Sequence, residues 1–249
     1  SQSMSSLCHL LKETLSEGEL PVIGSAGKGL ERGSLKRMSS VIREILPEAK
    51  VVSLSGPNLA YEIRSGLPSA SCVAAEDLEV AQFAQRTLST KKFRLYATTD
   101  LIGCELGGTL KNVIAIAAGA SDGLNLGVNA KAALITRGLA EMVRLATALG
   151  ARQSTLFGLS GMGDMIATCE GPLSRNYRIA QLMAQDLSLR EAIKKIGSTA
   201  EGVETTYAVC ELSKKKSIEM PIAIQVEKTL KGTCSPRESI MILMQRPLA

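Results

Sequence analysis

An α/β part feeding an all-helical part is the fold class the sequence predicts, and three observations predict it. Short apolar runs alternate with helical periodicities as far as Asp100. No strand signal follows Asp100. From Leu101 to Ala249 the apolar residues recur at helical spacing, broken only by Gly and Pro.

In the first part, helical spacing covers 4–16, and the apolar run 20–23 reads as a buried strand ahead of a Gly-rich loop. Leu35, Met38, Val41, Ile42 and Ile45 mark one face of a helix over 34–46. Strands are expected at 50–54, 70–74 and 93–96, with a short helix at 59–64 and a longer one at 77–88. In the second part helices are expected at 101–119, 129–149, 153–158, 177–184, 189–196, 203–215, 221–230 and 236–244. The expected domains are therefore 1–98 and 99–249.

Composition removes several classes of function. With 249 residues, 45% of them hydrophobic, the chain can bury one large core or two modest ones. A net charge of +5 with 3% aromatic residues and no Trp offers few platforms for stacking bases, so no nucleic-acid partner is expected. A small anionic substrate suits that charge, although an ordinary solvated surface is its commoner explanation. Six cysteines lie far apart with no C-x-x-C pair, and His9 is the single histidine, so no metal site is expected. Proton transfer then falls to Lys, Asp, Glu or Tyr. No run of the roughly 18 to 20 apolar residues of a membrane span is evident, and the start lacks the order of a secretion signal. A reducing cytoplasm is the expected compartment.

Lys111 is the most informative residue. It is the only ionisable side chain in LGGTLKNVIAIAAGAS, residues 106–121, where Leu106, Leu110, Val113, Ile114 and Ala117 share helical spacing. Such an amine snorkels to water, finds a partner, or exchanges its proton readily, and the last of these suits acid–base chemistry at a carbonyl. Gly107 and Gly108, just before it, allow another backbone or a ligand to come close. Lys28 lies among glycines in Ser25-Ala26-Gly27-Lys28-Gly29 directly after a strand, where free N–H groups can meet an anion, or where the chain simply turns. It is not a P-loop lysine, because Val22 stands at the first glycine position and Gly29 at the Ser/Thr position.

Two helix starts are built like anion sites, though ordinary capping uses the same residues. In Ser55-Gly56-Pro57-Asn58 the proline reads as a first helical residue. In Gly171-Pro172-Leu173-Ser174-Arg175-Asn176 a capping serine precedes an arginine able to grip phosphate. Asp164, crowded by Gly161 and Gly163, reads as part of a turn or as a carboxylate aimed at a lysine.

In chain order, SAGKG, SGPNLA, GCELGGTLKNVIAIAAGASDGL, NAKAALITRGLAEM, GLSGMGD, LSRN and AEGV resemble the bacterial-type NAD(P)-dependent glycerol-3-phosphate dehydrogenase family. The likeness runs the length of the chain. It implies a partial Rossmann-like nucleotide-binding domain followed by an all-helical substrate-binding domain, with NAD(P)H as cofactor. The implied reaction interconverts dihydroxyacetone phosphate and sn-glycerol 3-phosphate, for glycerophospholipid synthesis. Lys111 falls on the family's proton donor or acceptor. Lys28, Gly56, Asn58, Asp164, Ser174, Arg175 and Asn176 fall on substrate positions, and Lys28, Ala60, Arg175, Thr199 and Glu201 on cofactor positions. A homodimer is left open.

The sequence departs from the family in three places. Gly27 replaces the usual Thr of the SATKG loop, and Asn58 replaces a hydroxyl residue while keeping an amide donor. No G-x-G-x-x-G turn occurs, so the first half of the nucleotide-binding domain, some 80 to 100 residues, is expected to precede Ser1. On that expectation the sheet of this chain has an unpaired edge and the chain alone has little affinity for a dinucleotide. A related two-domain hydroxy-acid dehydrogenase and a noncatalytic helical remnant are the alternatives.

Overall fold

The computed structural model describes residues 2–15, 20–171, 173–197 and 201–247. The chain divides into two compact units, the first formed by Ser1–Thr109 with Ala146–Asp164, the second by Leu110–Leu145 with Met165–Ala249.

Among the described residues of the first unit, four strands form one sheet: β1 Ile23–Ser25, β2 Val51–Ser55, β3 Ser69–Ala74 and β4 Phe93–Thr98, in that order across it. β1 runs parallel to β2 and β3 parallel to β4, while β2 and β3 are antiparallel with Leu54 opposite Val73. Successive strand residues face opposite sides of a sheet. Val52 accordingly packs with Val73, Ala81, Ala84 and Leu95, whereas Val51 packs with Cys8, Ile42, Leu46 and Ala49. Those clusters are closed by α1 Met4–Thr14, α2 Met38–Ile45 and α4 Leu78–Leu88, and the short α3 Ala60–Arg64 joins β2 to β3.

The first strand begins later than the apolar run suggests. Pro21 has no N–H to give, and the first ladder bond is from Ile23 N–H to the Lys50 carbonyl. The next helix also starts late, at Met38, with Leu35 in the left-handed region at φ 57° and Leu30 bridged to Arg37. The buried carboxylate of Glu105 settles that start by accepting the Ser39 N–H at 2.7 Å, a donor the helix itself cannot satisfy. Nor is Pro57 a first helical residue: α3 is capped at Leu59, and the Pro57 carbonyl instead accepts from Ser69 Oγ.

α5 Leu101–Gly123 contributes residues to both units, the division falling between Thr109 and Leu110. Contrary to the reading from apolar runs, α5 has the length and hydropathy of a membrane span, but 89% of its most apolar window is buried within the protein, as in a core helix. Asp100 starts it, accepting the Gly103 N–H at 2.8 Å and the Arg152 N–H at 2.9 Å. After α6 Gly127–Ala148 and α7 Gln153–Leu156 comes a π-helical turn, Leu159–Gly163, running straight into α8 Asp164–Cys169. The glycine cluster before Asp164 is thus helical, and Gly161 has no room for a Cβ, which would lie 2.0 Å from the Leu156 carbonyl oxygen.

The second unit continues with α9 Arg175–Met183, α10 Leu189–Ile196, α11 Glu201–Lys215, α12 Pro221–Leu230 and α13 Pro236–Met244. Glycine lets its helices approach closely: a Cβ on Gly119 would stand 2.1 Å from the Tyr177 carbonyl oxygen. Capping boxes at Ser188/Glu191 and Ser235/Glu238 start α10 and α13. Glu141, only 2% exposed, accepts the N–H groups of Ile222 and Ala223 and so caps α12 from α6.

Candidate functional site

In the first unit three of the expected residues meet. The loop after β1 delivers Lys28, whose amine donates to Asp164 Oδ2 at 2.5 Å and to the Gly56 carbonyl at 3.2 Å. Asp164 is 1% exposed, whereas the Lys28 side chain keeps 18% of its surface in water. The loop is anchored one residue later, where Gly29 N–H donates to Thr109 Oγ1 at 3.0 Å and that hydroxyl donates to the Glu105 carbonyl. The carboxylate therefore is aimed at a lysine, through the π-helical turn.

The glycines of this region make room for protein rather than open space. A Cβ on Gly56 would lie 2.4 Å from Ser71 Oγ, and one on Gly108 2.6 Å from Ser55 Oγ and 3.4 Å from the stem of Lys28. One on Gly107 would lie 2.4 Å from the Ser160 carbonyl oxygen, which brings the π-helical turn onto α5. Asn58 is half-buried and Ala60 exposed. Ser55 Oγ, Ser71 Oγ and Asn58 Oδ1 are buried without a hydrogen-bond partner among the described residues. A buried polar atom left unmade costs free energy, so these atoms suit a ligand that both donates and accepts. A carboxamide, as on the nicotinamide ring, has that character, and to that extent the residues present fit such a cofactor.

The second unit holds Lys111, 6% exposed, so it does not snorkel to water. Its amine donates to Thr168 Oγ1 at 2.6 Å. Close by in the same unit, Cys169 is pushed up to about 12 by burial, with the charges of Lys131 and Lys111 opposing that rise. Ser174 caps α9 by accepting the Tyr177 N–H, and Asn176 is buried with Oδ1 accepting the Gly202 N–H at 3.0 Å. Arg175 and Glu201 are exposed at the starts of α9 and α11, and Thr199 lies outside the described residues.

Thr168, Thr109 and Glu105 were not among the residues expected from sequence. Thr168 follows Asp164 by four residues, the spacing of one helix face, and that alone would have drawn attention to it. Thr109 and Glu105 carry no local signal, because their partners are 80 and 66 residues away. No group of three or more His, Cys, Asp or Glu side chains able to hold a metal ion occurs among the described residues.

Residues 100–241 match the family described as NAD-dependent glycerol-3-phosphate dehydrogenase C-terminus, and residues 1–81 match its N-terminus counterpart. The glycerol-3-phosphate dehydrogenase (NAD(P)+) of Acaryochloris marina is 47% identical over 227 residues, covering 91% of this chain and 73% of the relative. That of Syntrophotalea carbinolica is 44% identical over 243 residues, covering 96% of this chain and 71% of the relative. Among solved structures, the glycerol-3-phosphate dehydrogenase of Coxiella burnetii superposes with a TM-score of 0.94 at 37% identity, over 99% of this chain and 75% of that one. The yeast enzyme superposes with a TM-score of 0.85 at 27% identity, over 98% of this chain and 73% of that one.

Proposed function

The chain belongs to the NAD-dependent glycerol-3-phosphate dehydrogenase family, and from that premise we propose that it is an oxidoreductase interconverting dihydroxyacetone phosphate and sn-glycerol 3-phosphate. NAD(P)H, when bound, supplies the hydride. The observation that carries the reading is the amine of Lys111, buried in an apolar helix and oriented by Thr168.

As a ketone is reduced at C2, its oxygen gathers negative charge and must take a proton. Lys111 supplies that proton, and in the reverse direction removes it from the alcohol. Its positive charge also stabilises the developing alkoxide, an effect strengthened where water is excluded. Lys28, held by Asp164 and the Gly56 carbonyl, is a fixed cation for the anionic substrate. The backbone of Gly56, the amide of Asn58, and Ser174, Arg175 and Asn176 hold the rest of the substrate, with the planar fork of Arg175 suited to phosphate. Ala60, Thr199 and Glu201, together with Lys28 and Arg175, are proposed cofactor contacts.

We place the domain boundary after Thr98, in the interval between the two matched family segments. The cytoplasm is the proposed compartment, supported by six free thiols. A homodimer is the proposed assembly, supported by the exposed apolar side chains of Met241, Ile242 and Met244 on α13.

The test is NADPH oxidation, followed by the loss of reduced-nicotinamide absorbance, with dihydroxyacetone phosphate as acceptor. Turnover that falls at least roughly 100-fold when the phosphate is removed from the substrate is expected, since a charged partner of Lys28 and Arg175 is lost. Equal turnover of a phosphate-free 2-oxo acid would overturn the assignment.

A further inference from the structure

We propose that Cys72 and Cys104 form a thiol–disulfide redox pair beside the turn that carries Asp164, a modification site for small hydroperoxides. Both residues belong to the first unit. Cys72 is in β3, opposite Ser55 of β2, and shares a face of the strand with Ala74. That face packs against Leu101 and Cys104 of α5, so the two thiols belong to one cluster. Cys104 Sγ also lies 3.4 Å from Ser160 Oγ, in the π-helical turn four residues before Asp164.

The surroundings divide the labour between the two sulfurs. Cys72 is half-buried, and the neighbouring polar groups of Cys104 and then of Ser160 lower its thiol to about 7, against the opposing effect of burial. Cys104 is wholly buried and raised well above the usual thiol range by the neighbouring Cys72, by burial and by the carboxylate of Asp100. Cys169 and Cys210, by contrast, are pushed up to about 12 by burial alone as the leading cause. The thiolate is the nucleophile in thiol chemistry, so Cys72 is the attacking sulfur and Cys104 the resolving one.

The steps balance as follows. The Cys72 thiolate attacks one peroxide oxygen, the O–O bond breaks, and hydroxide leaves and takes a proton to become water, giving Cys72 sulfenic acid. The Cys104 sulfur then attacks the Cys72 sulfur; the S–O bond breaks, and the departing hydroxide takes the Cys104 proton as a second water. Two thiols lose two electrons in all and the peroxide gains them. Closing the sulfurs to a bond of about 2.05 Å withdraws the Cys104 thiol from Ser160, and so bears on the turn that positions Asp164. The bond itself is independent of the proposed reaction; its effect on turnover rests on that reading.

The test treats the full chain with hydrogen peroxide at pH 7, blocks remaining thiols, and identifies linked peptides by mass. A Cys72–Cys104 peptide that dithiothreitol abolishes is expected. In Cys104→Ser, and in Cys104→Ala should serine disturb the buried site, Cys72 is expected to stop at sulfenic acid and be captured by dimedone. Recovery of both cysteines as free thiols after peroxide, or linkage of Cys72 to another cysteine, overturns the pair. NADPH-coupled turnover measured on the same samples is expected to fall at least fivefold on oxidation and to return with dithiothreitol. Unchanged turnover in a fully linked sample overturns the coupling to Asp164, while the mass result alone decides the pair, whatever the turnover of the reduced chain.

Discussion

In the first unit Lys28 sits on a glycine-bounded loop with its amine against the carboxylate of Asp164, whereas in the second Lys111 sits in mid-helix with its amine against the hydroxyl of Thr168. The contrast separates two uses of one side chain. A carboxylate partner pins a cation where an anion is to be bound; a hydroxyl acceptor on a buried helical amine helps to orient it for proton exchange. The scaffolds differ to match. Lys28 keeps part of its surface in water on a loop, while Lys111 is enclosed in a long apolar helix.

The contrast is most directly broken at Lys111. Lys111→Ala is expected to lower kcat by roughly 1,000-fold, within the range attributed to a positioned acid or base, with the circular dichroism spectrum unchanged. Lys111→Arg keeps a positive charge but holds its proton too tightly to exchange it, so it is expected to be nearly as slow. Fast turnover in the arginine variant would reduce Lys111 to a binding charge, making it a second Lys28.

Buried ionisable groups in the helical unit also bear on stability, and Glu141 measures by how much. Burial raises its carboxyl to about 7, against the N–H groups of Ile222 and Ala223 and the charges of Arg144 and Arg246, which pull it down. A carboxyl raised in the folded state favours the protonated form, so its contribution is fully present below the ordinary value of 4.5 and is lost as pH rises to about 7. The loss amounts to about 3 kcal/mol. Urea unfolding of the wild type and Glu141→Gln between pH 4.5 and 8 checks this: the wild type is expected to lose ground steadily against the variant as pH rises. A pH-independent difference would show that the carboxylate is stabilised in place.

The ion pair of the first unit comes next in size. Lys28→Met and Asp164→Asn, singly and together, form a double-mutant cycle. A coupling of about 2 kcal/mol is expected, below the 3 to 5 of a fully enclosed pair because water reaches Lys28. In turnover assays the singles are expected to raise KM more than they lower kcat, the reverse of Lys111→Ala.

What the sequence made legible follows the range of each interaction. Lys111 stood out because its whole context lies within one helix, and the capping serine at Ser174 because an N-cap is a matter of three residues. The pairing of Lys28 with Asp164 spans 136 positions, and only the types of the two residues hinted at it. The π-helical turn was hidden for another reason. Gly158, Gly161 and Gly163 have the composition of a loop, yet Gly161 is there because the Leu156 carbonyl leaves it no Cβ, a steric demand that composition cannot express. The late start of α2 was hidden likewise, since Glu105 sets it from a distant helix.

The smallest expected effect concerns Thr109, two residues before Lys111 on the same helix but acting on the other lysine's loop. Its hydroxyl accepts the Gly29 N–H, and Gly29 has little freedom to find another partner because it is buried. Thr109→Val keeps the shape and removes the acceptor, leaving one backbone donor unpaired at a cost of about 1 kcal/mol. If the loop serves binding and the helix serves proton transfer, that loss must appear as a KM raised about fivefold with kcat nearly unchanged, although the substitution lies closer in sequence to Lys111 than to Lys28. A fall in kcat with KM constant would mean that the helix transmits the change to the amine of Lys111, and the separation of roles between the two lysines would fail.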